Sequence, residues 1–279
     1  MTVKVNGAAL TWLLQATQRK QYISGKQQAQ VMSCMLDCES GRLSTTSLVR
    51  DGKTSLSHFS VGCSGKKTTS YPIPDIERVL GVLKYHGGDI TLSFDEAGGK
   101  LLLKSGKKQT TLKATSKGLA YPNSRDTIGA WVEKSKDLAS KITEQGYVAA
   151  DGKIYGAKES VKMDAVTLYE ALRCDNMNNQ RLNQFTFISK EDSLVVRVGN
   201  ELKGQTETVL THIARSTYLE PDDSHTEWSW AFEGGLDTVL SHMTEDVVID
   251  FIDFRELGQG MRMILRFGDS WVYQAGVVR

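Results

Sequence analysis

The sequence predicts an α+β protein built from two similar domains, each with two helices packed on antiparallel sheets. Three observations carry that expectation. A helix–strand–turn–strand pattern recurs after a shift of 160 residues, the earlier part of each half opens in the same order, and the 279-residue chain with 40% hydrophobic residues is long enough for two cores.

The repeat is clearest in two stretches. Ile76, Val79, Leu80 and Leu83 stand at helical spacing, and Leu236, Val239, Leu240 and Met243 occupy the shifted positions. A hairpin pattern follows each. In the first half it runs Ile90 to Phe94, a Gly98-Gly99 turn, then Leu101 to Gly106. In the second it runs Val247 to Phe251, a turn around Gly258-Gln259-Gly260, then Met261 to Gly268. Upstream, Ala9, Leu10, Leu13 and Leu14 have the spacing of a short amphipathic helix, as do Val166, Leu168, Tyr169 and Leu172. Strand-like segments follow at 30–36, 42–49 and 55–61, and again at 184–189, 194–198 and 206–213. Duplicated α+β domains at 1–117 and 160–279 account for this order.

The segment 118–159 between them opens as a loop. Ile128, Trp131, Val132, Leu138, Ala139 and Ile142 then step as i, i+3, i+4, which predicts a helix from about Thr127 to Glu144 with Ser124 or Asp126 as N-cap. Asp151-Gly152 signals a turn.

The net charge of +1 hides a polarity. Residues 1–117 carry 17 Lys and Arg against 8 Asp and Glu, 118–159 balance, and 160–279 carry 11 against 19. Chance surface composition produces such a difference; so does head-to-tail association of a basic end with an acidic one. There is no long uncharged apolar run, and Met1 to Gly7 lack the order of a signal peptide, so a soluble, intracellular protein is expected.

Catalytic and metal signatures are sparse. Cys34 and Cys38 share one face of a strand-like stretch, with His58 and Cys63 as the only local companions, and reduced core thiols fit better than zinc. Gly65-Lys66-Lys67-Thr68 lacks the spacing of a phosphate loop. His225 among Asp222, Asp223 and Glu227 reads as a solvated loop more simply than as a metal site. No cofactor and no metal are expected, and a binding or scaffold role gains weight over an enzyme.

Ile73 to Lys84 with the hairpin Asp89 to Lys104, and the run Met263 to Ala275, resemble the two-domain DNA sliding clamps: the proliferating cell nuclear antigen and the clamp of T4-like phages. The first stretch looks like the family's second helix of domain one and its strand pair, the second like its closing strand. The resemblance covers about 1–117 and 160–279. It implies a non-catalytic processivity factor, a head-to-tail trimeric ring of DNA-clamp domains around duplex DNA, with helices lining the hole. Candidate phosphate contacts are then Arg19, Lys20, Lys26, Arg78, Lys84, Arg173 and Arg181 on or beyond the inner helices, while Leu236 to Met243 supplies no Lys or Arg. The same residues read alone are ordinary exposed cations. The resemblance further implies that DNA polymerase and clamp loader dock short peptides beside Leu119, Tyr121, Tyr273, Ala275, Gly276 and Val277. An edge near Thr110 to Lys113 should meet an edge of domain two in the next subunit. A replicative role implies the cytoplasm, that of the host for a viral chain. Two departures stand out: the expected connector helix, and a chain that stops at Gly276-Val277-Val278-Arg279 where family members often carry an acidic tail. A non-catalytic structural or assembly protein of duplicated β-rich domains remains the alternative, and an enzyme with a site near His225 and Asp222 is a third reading.

Overall fold

Side chains cap the starts of three helices. In the computed structural model, which describes residues 2–23, 26–49, 55–64, 69–73, 75–95, 100–113, 137, 140–143, 146–149, 152–177, 184–190, 193–200, 204–210, 212–217, 227–241, 243–254 and 260–277, helix α1 spans Gly7–Gln18. Asn6 Oδ1 accepts from the backbone N–H of Ala8 (3.0 Å) and Ala9 (3.2 Å) at its start. Asp75 does the same for α2 (Ile76–Leu83), accepting from Arg78 N at 2.9 Å. Asp164 opens α3 (Ala165–Met177), its Oδ2 accepting from both the N–H and the hydroxyl of Thr167 at 2.9 Å. Helix α4 (Leu236–Leu240) starts instead at Gly235, φ +94°, with no side-chain cap, and stops after 5 residues, short of the expected Met243.

The chain divides into two compact units that are interleaved in sequence. Unit 1 comprises Met1–Gln18, Val31–Leu48 and Ser57–Asp137; unit 2 comprises Arg19–Gln30, Val49–Leu56 and Leu138–Arg279.

In unit 1, α1 buries Leu10, Leu13 and Leu14 and packs on α2, which buries Ile76, Val79, Leu80 and Leu83. The strands are β1 (Thr2–Asn6), β4 (Cys34–Glu39), β5 (Arg42–Val49), β6 (Ser55–Ser64), β7 (Thr69–Ile73), β8 (Asp89–Asp95), β9 (Lys100–Ser105) and β10 (Lys108–Lys113), joined in the order β10-β9-β8-β1-β6-β5-β4-β7. Register decides which residues face the core. Val3 pairs with Leu92 and Leu92 with Leu103, a buried row, while the next row, Lys4, Thr91, Lys104 and Gln109, faces outward. Cys34 and Cys38 share one face of β4, as expected, and that face, with Leu36 between them, is buried. Cys34, Cys38 and Cys63 are free thiols; burial pushes Cys63 up to about 11 and Cys34 further, so both are held protonated.

In unit 2, β2 (Lys20–Ile23) and β3 (Lys26–Ala29) form a hairpin. The main sheet has the order β22-β21-β20-β14-β18, with β14 Glu159–Asp164, β18 His212–Thr217, β20 Asp246–Asp253, β21 Met261–Phe267 and β22 Ser270–Ala275. A second sheet, β17-β16-β15-β19, joins Gly204–Leu210, Ser193–Asn200, Gln184–Lys190 and Trp228–Glu233. Phe251 sits among Trp228, Phe187 and Phe232, with ring centroids 4.7, 5.1 and 6.4 Å away, so aromatic packing joins the two sheets. Glu159, also buried there, accepts from Ser189 Oγ at 2.7 Å and Trp228 Nε1 at 3.1 Å.

Several expectations are corrected. Val166 does not face the core but is 41% exposed, because it lies two residues, roughly 200° of helix, from Leu168; the inward positions are Ala165, Leu168, Ala171 and Leu172. The 206–213 stretch is two strands, β17 and β18, and Met263 to Ala275 is a hairpin turning at Gly268 (φ +49°). Most of the expected Thr127–Glu144 helix lies outside the described residues. Asp137 and Ser140 are helical, but Ile142–Thr143 is already a strand, β11. It pairs with β12 (Gly146–Val148), which pairs with β13 (Ile154–Tyr155) through a turn closed by Gly152 N to Ala149 O, 2.9 Å. Among the described residues no helix is long and apolar enough to cross a membrane.

Candidate nucleic-acid interface and partner surface

Three of the seven expected cations, Arg78, Lys84 and Arg173, lie exposed on or at the end of helices. In unit 1, Arg78 is exposed one turn into α2, and Lys84 is exposed at its C-cap. In unit 2, Arg173 is exposed on α3, its guanidinium 5.0 Å from the centre of the Tyr169 ring. Lys26 is exposed on β3, and Lys20 is half-buried on β2, where its carbonyl accepts from Thr238 Oγ1 at 3.4 Å. Arg181 lies outside the described residues.

Arg19 is the exception. It is 1% exposed, and its Nη1 donates to the hydroxyl of Ser55. Its backbone leaves the helical conformation directly after α1, at φ +43°, and the residue belongs to unit 2. An interior guanidinium cannot reach a phosphate in solvent, so the expectation of a DNA contact is corrected for this residue. Near it, Asp237 on α4 is pushed up by burial and pulled back by hydrogen bonds and by the positive charges of Arg19 and Arg173.

The expected partner surface is partly assembled. Tyr273 is half-buried; its hydroxyl accepts from Arg262 Nε at 3.0 Å, and burial raises its pKa against the opposing charge of Arg262. Ala275 and Gly276 are buried. Gly276 N donates to Met261 O at 2.8 Å and Val277 N to Ala231 O at 2.7 Å, which stitches the end of β22 onto β21 and β19. A Cβ on Gly276 would overlap the indole of Trp230, so that position needs glycine. Leu119 and Tyr121 lie outside the described residues.

The sequence pointed to none of the connector residues that pack beside Tyr273 as part of this surface, and it placed Ile142 in a helix. Ile142, Tyr147 and Tyr155 of the β11–β13 sheet pack with Tyr273 on a buried cluster of Ile252, Phe254 and Ile264. Tyr147 stacks on Tyr273 (5.9 Å, 24°) and meets Phe254 edge-on at 5.6 Å. Arg266 fastens the same sheet, donating from Nη2 to Thr143 O at 2.6 Å and from Nε to Asp250 Oδ2 at 2.8 Å. The available signal was the pair of tyrosines flanking the Asp151-Gly152 turn.

Among the described residues no group of three or more His, Cys, Asp or Glu is placed to hold a metal ion; Asp222, Asp223 and His225 lie outside them.

No family model and no curated protein matches the sequence. Solved structures do match. The DNA polymerase III beta subunit of Thermotoga maritima superposes over 100% of this chain with a TM-score of 0.61 at 13% identity, and the match takes in 66% of that chain. PCNA of A. fulgidus, in a structure with the C-terminal region of FEN-1, also superposes over 100% of this chain, with a TM-score of 0.61 at 11% identity and 98% of its own length covered. The chain therefore spans about two thirds of the bacterial subunit and nearly all of the PCNA chain, and across its full length it has the α+β fold of the DNA sliding clamps.

Proposed function

We propose that this protein is a DNA sliding clamp: a non-catalytic ring that encircles duplex DNA and tethers the replicative DNA polymerase. The observation that carries the reading is the full-length likeness to PCNA, a chain of nearly the same extent. Three two-domain subunits joined head to tail would make the trimeric ring that the resemblance implies, and each subunit then needs two free strand edges. Among the described residues β10 pairs only with β9 and β17 only with β16, so each offers such an edge. The excess of cations in 1–117 and of anions in 160–279 favours joining unlike ends.

Sliding requires phosphate contacts without base readout. Lys26, Arg78, Lys84 and Arg173, each exposed on its own unit, suit that role, and half-buried Lys20 is kept with them; Arg181 joins them on the sequence pattern alone. Polymerase and clamp loader would dock peptides beside Tyr273 and Val277, where the β11–β13 sheet supplies aromatic side chains.

Two measurements test this. Light scattering on the purified chain should give a species near three times 30.9 kDa at low salt that weakens as salt rises. The assembled ring should stay on closed circular DNA and leave it after a single cut. A ring lost equally from circular and linear DNA would favour the structural-protein reading.

A further inference from the structure

The end of unit 1 where α2 gives way to β8 meets the turn between β9 and β10. Lys108 Nζ donates to the Tyr85 carbonyl at 2.9 Å. His86 bonds through Nδ1 to Ser105 Oγ at 2.8 Å and through Nε2 to Thr110 Oγ1 at 2.9 Å. The N–H groups of Tyr85 and His86 close the last helical turn onto Val82 O and Leu83 O, both at 3.0 Å. The backbone is thus held on both sides of Tyr85, yet its side chain is 73% exposed. Lys84 precedes it in sequence, Lys107 adjoins Lys108 at the start of β10, and all three lysines are exposed. The nearest acid in sequence, Asp89, is held by Lys4 at 2.9 Å.

A solvent-facing aromatic ring on a held backbone, with ammonium groups on the neighbouring residues, is complementary to a strand whose bases are unpaired: phosphates meet the lysines, and a base meets the ring. Duplex DNA offers the phosphates but keeps its base faces stacked. An acidic protein segment would use the lysines and leave the ring idle. We propose that Tyr85, with Lys84, Lys107 and Lys108, forms a contact site for single-stranded nucleic acid, where Tyr85 stacks on an unpaired base. This deepens the clamp reading and rests on it for the presence of DNA. It adds a contact that distinguishes the single-stranded template beside a primer end from the duplex.

The test is fluorescence anisotropy at low salt with two probes, a labelled oligothymidylate of about 16 nucleotides and a duplex of the same length. The full-length chain is compared with Tyr85→Ala, Tyr85→Trp and Lys107→Ala. Tyr85→Ala should weaken oligothymidylate binding about ten-fold and leave duplex binding within about two-fold, with Tyr85→Trp restoring the loss. Lys107→Ala should weaken both probes and flatten their salt dependence by a similar amount. Oligothymidylate affinity unchanged in Tyr85→Ala, or an equal loss on both probes, overturns the proposal. If the wild-type chain stays on circular DNA yet ignores oligothymidylate, this inference fails while the clamp reading stands; failure on every DNA removes both.

Discussion

Arg19 donates from Nη1 to the hydroxyl of Ser55, and that hydroxyl donates onward to the Tyr273 carbonyl at 3.1 Å. The relay ties the residue that ends the first helix to the last strand of the chain, and makes Arg19 part of the framework of unit 2. Arg19→Ala should therefore destabilise the protein by about 3 kcal/mol, the order expected when a buried charged donor leaves its acceptors unmet. Urea unfolding measures this. The folded variant should keep the salt dependence of duplex binding seen in the wild type, whereas a flattened dependence with unchanged stability would return Arg19 to the DNA-contacting set.

Arg78 and Arg173 predict the opposite outcome. Both are exposed on helix faces that do not pack. Alanine at either position should leave stability within about 0.5 kcal/mol while lowering duplex affinity. Each should reduce the slope of log affinity against log salt by about 0.9, the share of one neutralised phosphate. Titrations at several salt concentrations read the slope directly, and an unchanged slope in both variants would remove these helices from the DNA interface.

The repeated architecture was legible because its signals are local. Ile76, Val79, Leu80 and Leu83 mark a helix by spacing alone, all four are buried, and Asp75 caps them. The alternation at 90–94 and 101–105 marks β8 and β9 in the same way. The errors come from partners distant in sequence. Ile142 fits the i, i+3, i+4 steps that precede it, but it pairs across a turn with Tyr147 and packs on Ile252, Phe254 and Ile264. Periodicity cannot separate a helix's last apolar residue from a strand's first. Arg19 reads in sequence as one more cation at a helix end; the groups it is bonded to, Ser55 and through it Tyr273, lie 36 and a further 218 residues along the chain. The candidate site was legible as exposed cations on helices and illegible where the connector folds over Tyr273.

Gly276 was expected from sequence to sit in a partner-binding surface, and the structure gives it a packing role as well. A methyl there would overlap Trp230 Nε1 and Cδ1 and press on Met261 O, while Gly260, at φ +75°, approaches the same indole from its ring edge. Gly276→Ala should cost about 2 kcal/mol, in the range for overpacking a filled site. It should also change the fluorescence of Trp230, because the indole must move. An unaltered melting temperature would show that the chain end relaxes away from Trp230 at no cost.

Asp164 supplies the pH dependence. The backbone N–H of Thr167, then its hydroxyl, hold the Asp164 carboxyl below its ordinary value. A lowered native pKa means that the folded chain binds this proton less tightly than the unfolded chain does. The stabilisation is therefore fully present above the unfolded value, about 3.9, and is lost as pH falls from there through the lower native value. Solvent screening limits the charge contribution at this partly exposed site, so the cap itself sets the scale, about 1 kcal/mol. Asp164→Ala should lose about that much at neutral pH, and its deficit against wild type should shrink as the pH is taken below about 4. Asp164→Asn keeps an acceptor for Thr167 without a titrating proton, so its stability should vary less with pH in the same window. Urea titrations of the three proteins at neutral pH and at two acid points measure the gap, and a gap of constant size would assign the cap's value to geometry alone, with no share from ionisation.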